Sequence, residues 1–124
     1  MIRLQGGLRQ FRRVIPPPDA PVRVEAVGKP ELALETGDIS EGGMELLLPE
    51  PPPVRVGDEL SLVLKLPGEP ALRVTAEVRH MDRMRVGVAF VDLPGSGREA
   101  IRRYVARVTH GSSWWQRLRE LWQD

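Results

Sequence analysis

A period of two in the spacing of apolar residues runs through most of this 124-residue chain and limits what it can fold into. Apolar and polar residues alternate in six short segments, which are separated by turn signals such as Val56-Gly57-Asp58 and Pro67-Gly68. This pattern is typical of half-buried antiparallel strands. We therefore predict a mainly β fold, a small six-stranded antiparallel barrel that leaves no exposed sheet edge. The segments are 22–26, 32–34, 44–48, 60–66, 72–78 and 86–90.

The apolar period changes after residue 93 and becomes helical. Ser96 and Glu99 have the spacing of a capping box. Gly111 is a suitable end for a first helix, and a second can begin at residue 112 or 113. We therefore expect one or two C-terminal helices. The apolar face of the first consists of Ile101, Tyr104, Val105 and Val108.

The length fits one domain, in which we distinguish three parts. Residues 1–18 contain an arginine cluster and a proline run, and we expect an extended, mobile arm. Residues 19–110 form the barrel with its flanking helix, and residues 111–124 form an amphipathic helix rich in tryptophan. The chain has no apolar run near the roughly 20 residues that span a bilayer. It also has no cysteine and no secretory signal, so we expect a cytoplasmic protein.

The residues needed for catalysis are sparse. The histidines are His80 and His110, no His-x-x-x-His pair occurs, and cysteine is absent. Ser40 lies near Asp38, but no histidine in the pattern is placed to act as its base. We therefore expect no enzyme activity, no bound metal and no cofactor.

Two motifs remain, and together they are informative. The first is Arg9-Gln10-Phe11-Arg12-Arg13, and the second is Asp38-Ile39-Ser40-Glu41-Gly42-Gly43. In this order, and followed by the Gly-Val-x-Phe strand near residue 88, they resemble the PilZ family. The resemblance covers roughly residues 8–108. It implies a barrel that binds the bacterial messenger cyclic di-GMP.

The chemistry of the proposed ligand fits these residues. Cyclic di-GMP offers two phosphates and two guanines, and an arginine fork matches both a phosphate and the guanine O6/N7 edge. We expect Arg9 and Arg13 to supply these contacts. Asp38 can accept from guanine N1–H and N2–H2, and Ser40 can donate or accept, although both side chains could instead only build a turn. Gly43 permits a positive φ and lets the ligand approach the backbone.

Further residues are supporting candidates. Arg12 points away from Arg13 if the arm is extended. Gly42 can serve mainly hairpin geometry, and Phe11 is better explained as an anchor of the arm than as a stacking residue. Arg79 could reach a phosphate or face outward. Leu8 stands where the resembling family carries a third arginine associated with an intercalated ligand dimer, which favours one ligand molecule per site.

The sequence therefore predicts a receptor or adaptor that changes conformation on binding cyclic di-GMP and regulates a protein effector in motility, exopolysaccharide or pilus output. The C-terminal helix either packs on the barrel or contacts an effector or a second copy of the chain. Its apolar stripe is Trp114, Leu118, Leu121 and Trp122.

Two alternatives stay open, a β-barrel that binds nucleic acid and an interaction module without a ligand. The strands carry acids that argue against nucleic acid: Glu25, Glu31, Glu35, Glu45, Glu59 and Glu77.

Overall fold

The computed structural model describes residues 11–29, 32–49 and 52–122, with side chains up to residue 110. Six strands and one helix follow each other along the chain, so the predicted mainly β fold is confirmed. The elements are β1 (Arg23–Ala26), β2 (Glu35–Ile39), β3 (Gly43–Leu47), β4 (Glu59–Lys65), β5 (Leu72–Asp82), β6 (Arg85–Asp92) and α1 (Gly95–Trp122).

All neighbouring strands are antiparallel, and the sheet order is β1-β4-β5-β6-β3-β2. The end strands β1 and β2 approach each other, because the Thr36 hydroxyl donates to the Val22 carbonyl at 3.0 Å. The barrel is therefore nearly closed, by a side-chain bond rather than by a backbone ladder. On the open side of β2, Val14 and Ile39 exchange both backbone hydrogen bonds, each 3.0 Å long.

The second strand begins later than the alternation suggested. Leu32 donates its backbone N–H to the Lys29 carbonyl at 3.0 Å, so it belongs to the turn after β1. Leu32 and Leu34 still pack against the core. Their apolar character therefore reflects burial in a loop rather than a place in the ladder.

The core consists of the inward-facing residues of the strands and one face of α1. Leu62, Leu64 and Ile101 are fully buried, and burying such a side chain contributes about 1.5–3 kcal/mol. Tyr104 is also buried, and its hydroxyl donates to the Ala20 carbonyl at 2.6 Å. Burial raises the pKa of Tyr104 to about 12, so the hydroxyl keeps its proton and this bond at pH values where an exposed tyrosine ionises.

Helix α1 differs from the prediction at two points. It begins at Gly95, so Ser96 lies inside the first turn and does not precede it as a cap; Arg98 donates its N–H to the Pro94 carbonyl at 3.0 Å. Gly111 does not end the helix, which is continuous to Trp122. A glycine inside a helix costs about 1 kcal/mol relative to alanine, which is too little to force a break by itself.

The predicted apolar stripe of residues 114–122 lies on this continuous helix, but outside the side chains that the structure describes. Along the described residues, no helix combines the length and the hydropathy needed to cross a bilayer.

Candidate functional site

The loop between β2 and β3 is a tight turn built by Ser40. The Ser40 backbone N–H donates to the Gly43 carbonyl at 2.9 Å, and the Gly42 N–H donates to Ser40 Oγ at 3.1 Å. The Ser40 hydroxyl in turn lies 3.4 Å from the Gly43 carbonyl. Ser40 is 3% exposed. The turn interpretation of Ser40 is therefore observed, and any contact with a ligand would be additional to it.

Asp38 takes no part in that turn and pairs with Arg13 instead. Arg13 Nη1 lies 3.2 Å from Asp38 Oδ1, and the side chains are 50% and 23% exposed. The Val14–Ile39 backbone pair holds their chain neighbours together, and so brings the two motifs into contact. An exposed ion pair contributes about 0–1 kcal/mol, so these groups can exchange partners readily.

The predicted mobile arm, residues 1–18, is therefore partly docked on the barrel through Val14. Arg12 is exposed and does not line the cleft described below. Leu8 and Arg9 lie outside the described residues.

Phe11 packs against the β2–β3 loop. A Cβ built on Gly42 would lie 3.0 Å from the Phe11 ring, and Gly42 has no positive φ. A side chain at position 42 would press on the ring, so glycine here serves the packing of Phe11 rather than a left-handed hairpin conformation. These contacts favour the anchor interpretation of Phe11.

Glycine is needed at Gly43 for a reason other than the expected one. Its φ is not in the left-handed region, and a Cβ there would collide with the Val88 carbonyl oxygen. Gly43 pairs with Ala89 across the β3–β6 ladder. The residue is therefore required by the close approach of two strands, and the expectation of a positive φ is wrong.

A cleft of about 410 Å³ opens beside this loop, a volume within the range of small-molecule sites. Both motifs contribute to it, together with β5, β6 and α1. Among its lining residues are Phe11, Arg13, Ser40, Gly42, Gly43, Arg79, His80 and Arg98.

Two adjacent residues of β5, Arg79 and His80, both reach this cleft although a regular strand would send them to opposite faces. The β5–β6 register shifts between Val78 and His80, and such a bulge re-aims side chains. Arg79 pairs with Glu77 at 2.9 Å. The His80 ring lies over Gly87, where a Cβ would overlap it. The sequence did not predict His80 at the site, because an apolar period of two carries no sign of a bulge.

Helix α1 is fastened to the same loop. Arg102 makes two hydrogen bonds to the Glu41 carboxylate, at 3.1 and 3.2 Å, and the Glu41 side chain is 16% exposed. The hydrogen bond to Glu41 raises the pKa of Arg102. One residue further along, Arg103 makes a matching bidentate pair with Glu69 at 2.9 and 3.0 Å, and its hydrogen bond lowers the pKa of Glu69. The α1 helix thus bridges the β2–β3 and β4–β5 loops.

In the described ranges, no three His, Asp or Glu side chains are close enough together to hold a metal ion. The polar groups that line the cleft are guanidinium, imidazole, hydroxyl and backbone groups, together with the Glu45 carboxylate, which lies 3.9 Å from Arg85 Nη1. They suit an anionic ligand that carries hydrogen-bonding edges.

The fold and site together define a small β-barrel domain with an arginine-lined cleft between its N-terminal segment, its β2–β3 loop and its C-terminal helix. The family model of the PilZ domain matches residues 8–107, and the chain belongs to the PilZ family. The resemblance inferred from the two motifs is thereby confirmed.

Relatives and solved structures agree with this assignment. The chain is 31% identical over 97 residues to a flagellar brake protein YcgR of Methylibium petroleiphilum, covering 71% of this chain and 42% of that protein. The PilZ domain of Escherichia coli YcgR with c-di-GMP superposes with a TM-score of 0.67 at 14% identity, covering 84% of this chain and 93% of that one.

The Bacillus subtilis inhibitor of motility MotI/DgrA gives a TM-score of 0.69 at 20% identity, over 83% of this chain and 52% of that one. The chain thus spans less than half the length of the flagellar brake protein it matches.

The close approach of β3 and β6 at Gly43 leads to a prediction about stability. We expect Gly43→Ala to lower the free energy of unfolding by about 1–3 kcal/mol, because the added methyl group forces β3 away from β6. Gly95→Ala is the matched control, since no atom lies within 4 Å of a Cβ there and its φ is not positive. Urea denaturation measures both variants. Equal stability of the Gly43 variant and wild type would contradict this account of the glycine.

Proposed function

We propose that this chain is a cyclic di-GMP receptor rather than an enzyme, and that it works in the cytoplasm. The observation that carries the proposal is the meeting of two motifs distant in sequence, since Arg13 and Ser40 line one cleft. Asp38 is not among the residues that line it, but its Oδ1 lies 3.2 Å from Arg13 Nη1. Membership in the PilZ family and the similarity to the PilZ domain of Escherichia coli YcgR with c-di-GMP support it.

The ligand would be read by complementary chemistry. Asp38 has oxygens free to accept from a guanine N1–H and N2–H2 edge while it still holds Arg13. Arg13 can donate to a phosphate or to guanine O6 and N7. Arg9 precedes Arg13 by four residues, at most about 14 Å of extended chain, and can address the other face of the ligand. Gly43 and Ser40 shape the floor of the cleft.

We also propose that the N-terminal arm, residues 1–18, closes over the bound ligand, and the docking of Val14 on Ile39 lowers the entropic cost of that closure. Ordering about 10 free residues costs on the order of 10–20 kcal/mol of backbone entropy. A micromolar ligand supplies a net of about −8 kcal/mol. Because Val14 is already paired with Ile39, part of that ordering cost falls on folding rather than on binding. The hydrogen bonds between the arginines and the ligand then have a smaller entropic cost to offset.

The two motif arginines give the test of the ligand. We expect Arg9→Ala and Arg13→Ala each to weaken cyclic di-GMP binding about tenfold to a hundredfold, because each loses charge-assisted hydrogen bonds of about 1.5–3 kcal/mol. Isothermal titration calorimetry measures the affinities. Arg23→Ala on β1, which is exposed and outside the cleft residues, is the control and should bind as wild type does. Unchanged binding by both motif variants would refute the assignment.

Ligand binding would act on an effector through a change in the conformation of the chain. Glu41 stands between Ser40 and Gly42 in the ligand loop and is fixed to Arg102 of α1. A ligand that shifts this loop therefore moves one end of the Glu41–Arg102 pair. The displacement would be passed to α1, whose tryptophan-rich end is a candidate surface for an effector or a second copy of the chain. The words "flagellar brake" and "inhibitor of motility" in the relatives' names favour a motility output.

The coupling can be followed with the three tryptophans, all of which belong to α1. We expect cyclic di-GMP to change the tryptophan emission of the wild type, and Glu41→Ala to reduce that change while affinity stays close to wild type. The reason is that the variant disconnects the loop from the helix.

Glu69→Ala is the matched control, because it breaks the equivalent bidentate pair away from the ligand loop. Coupling through Glu41 would be contradicted if both variants lost the signal equally, or if Glu41→Ala kept all of it.

A further inference from the structure

Helix α1 carries four arginines between residues 98 and 107, and three of them are held by acceptors on the barrel loops. Arg102 binds Glu41, Arg103 binds Glu69, and Arg107 donates to the Pro67 carbonyl at 2.8 Å. Arg98 is different. Within the described residues it has no hydrogen-bond or ion-pair partner for its guanidinium, which lies over the Phe11 ring at 5.7 Å from the centroid.

The position of Arg98 is set by contacts on both sides. It is half-buried, and it lines the same cleft as Arg13 and Ser40. Arg102 lies four residues further along, on the same face of the helix, and is fixed by its bidentate pair with Glu41. The ring of Phe11, itself packed on Gly42, supports the guanidinium from below. These contacts therefore hold Arg98 in position where it lines the cleft.

The charges around the cleft set Arg98 apart from the other two arginines that line it. Arg13 is paired with Asp38, and Arg79 is paired with Glu77. Among the described residues, Arg98 is the lining guanidinium with no carboxylate oxygen within 4.0 Å. A cyclic dinucleotide carries two negatively charged phosphodiesters. An arginine already paired with a carboxylate attracts them less strongly than an unpaired arginine does, because the carboxylate repels them.

We propose that Arg98 is a ligand-binding residue that donates to a phosphate oxygen of the bound cyclic dinucleotide, so that helix α1 forms one wall of the site. The proposal rests on the cyclic di-GMP function given above and adds to it a contact from a helix outside both sequence motifs. The ligand would then contact α1 directly through Arg98, in addition to acting on it indirectly through Glu41.

Calorimetric titration of four full-length proteins with cyclic di-GMP tests the contact: wild type, Arg98→Ala, Arg98→Lys and Arg107→Ala. We expect Arg98→Ala to bind about tenfold or more weakly, since a charge-assisted hydrogen bond is lost. Arg98→Lys should bind between wild type and Arg98→Ala, because lysine keeps a point charge for the phosphate but loses the planar fork that lies over Phe11. Arg107→Ala removes an arginine of the same helix that does not line the cleft, and should bind as wild type does.

Each other outcome overturns the proposal. Wild-type affinity in Arg98→Ala would mean that Arg98 does not touch the ligand. Equal losses in Arg98→Lys and Arg98→Ala would contradict a phosphate contact, because the positive charge kept by lysine would then contribute nothing to binding. An equal loss in Arg107→Ala would assign the effect to the attachment of the helix. If the wild type binds cyclic di-GMP and Arg98→Ala binds it equally well, only this inference falls; if the wild type does not bind, the proposed function falls with it. Thermal melting followed by circular dichroism verifies that all four proteins are folded.

Discussion

The two backbone hydrogen bonds between Val14 and Ile39 are the constraint on which the site depends. They fix the N-terminal segment along the open side of β2, so that Arg13 and Asp38 become neighbours. They also bring Phe11 over Gly42, where the missing side chain leaves room for the ring. Because both bonds are made by backbone groups, the pairing itself does not depend on the side chains that would contact a ligand. A scaffold of this kind allows the exposed Arg13–Asp38 pair to rearrange without loss of the fold.

Much of the fold could be predicted from the sequence, because a barrel strand with one buried face must alternate. Leu60, Leu62 and Leu64 show this directly, since all three are buried. Alternation does not say where pairing begins, so Leu32 was placed in a strand although it packs from a turn. Alternation also gives no sign of a bulge. The β5–β6 register shift beside His80 brings a second residue of β5 into the cleft. Gly111 was expected to end a helix, but its local preference is weak and the helix continues through it.

The candidate site was predicted from its two motifs, and the residues it gained come from elsewhere in the chain. Arg98 and His80 carry no local signal, because the place of Arg98 at the cleft follows from the attachment of α1 and that of His80 from the bulge in β5. Two glycines were assigned to the site for reasons of backbone freedom. At Gly42 and Gly43 the physical reason is instead the closeness of Phe11 and Val88. The sequence motifs thus pointed to a loop that lines the cleft, but the reasons expected for its two glycines were wrong.

The central claim is that this cleft recognises cyclic di-GMP and does not simply attract guanine nucleotides. Calorimetric titration of the purified wild-type chain with cyclic di-GMP, and in parallel with GTP and cyclic GMP, tests it most directly. We expect saturable binding of cyclic di-GMP with one ligand molecule per chain, and no measurable binding of the other two. Absence of binding, or equal affinity for all three nucleotides, would contradict the account.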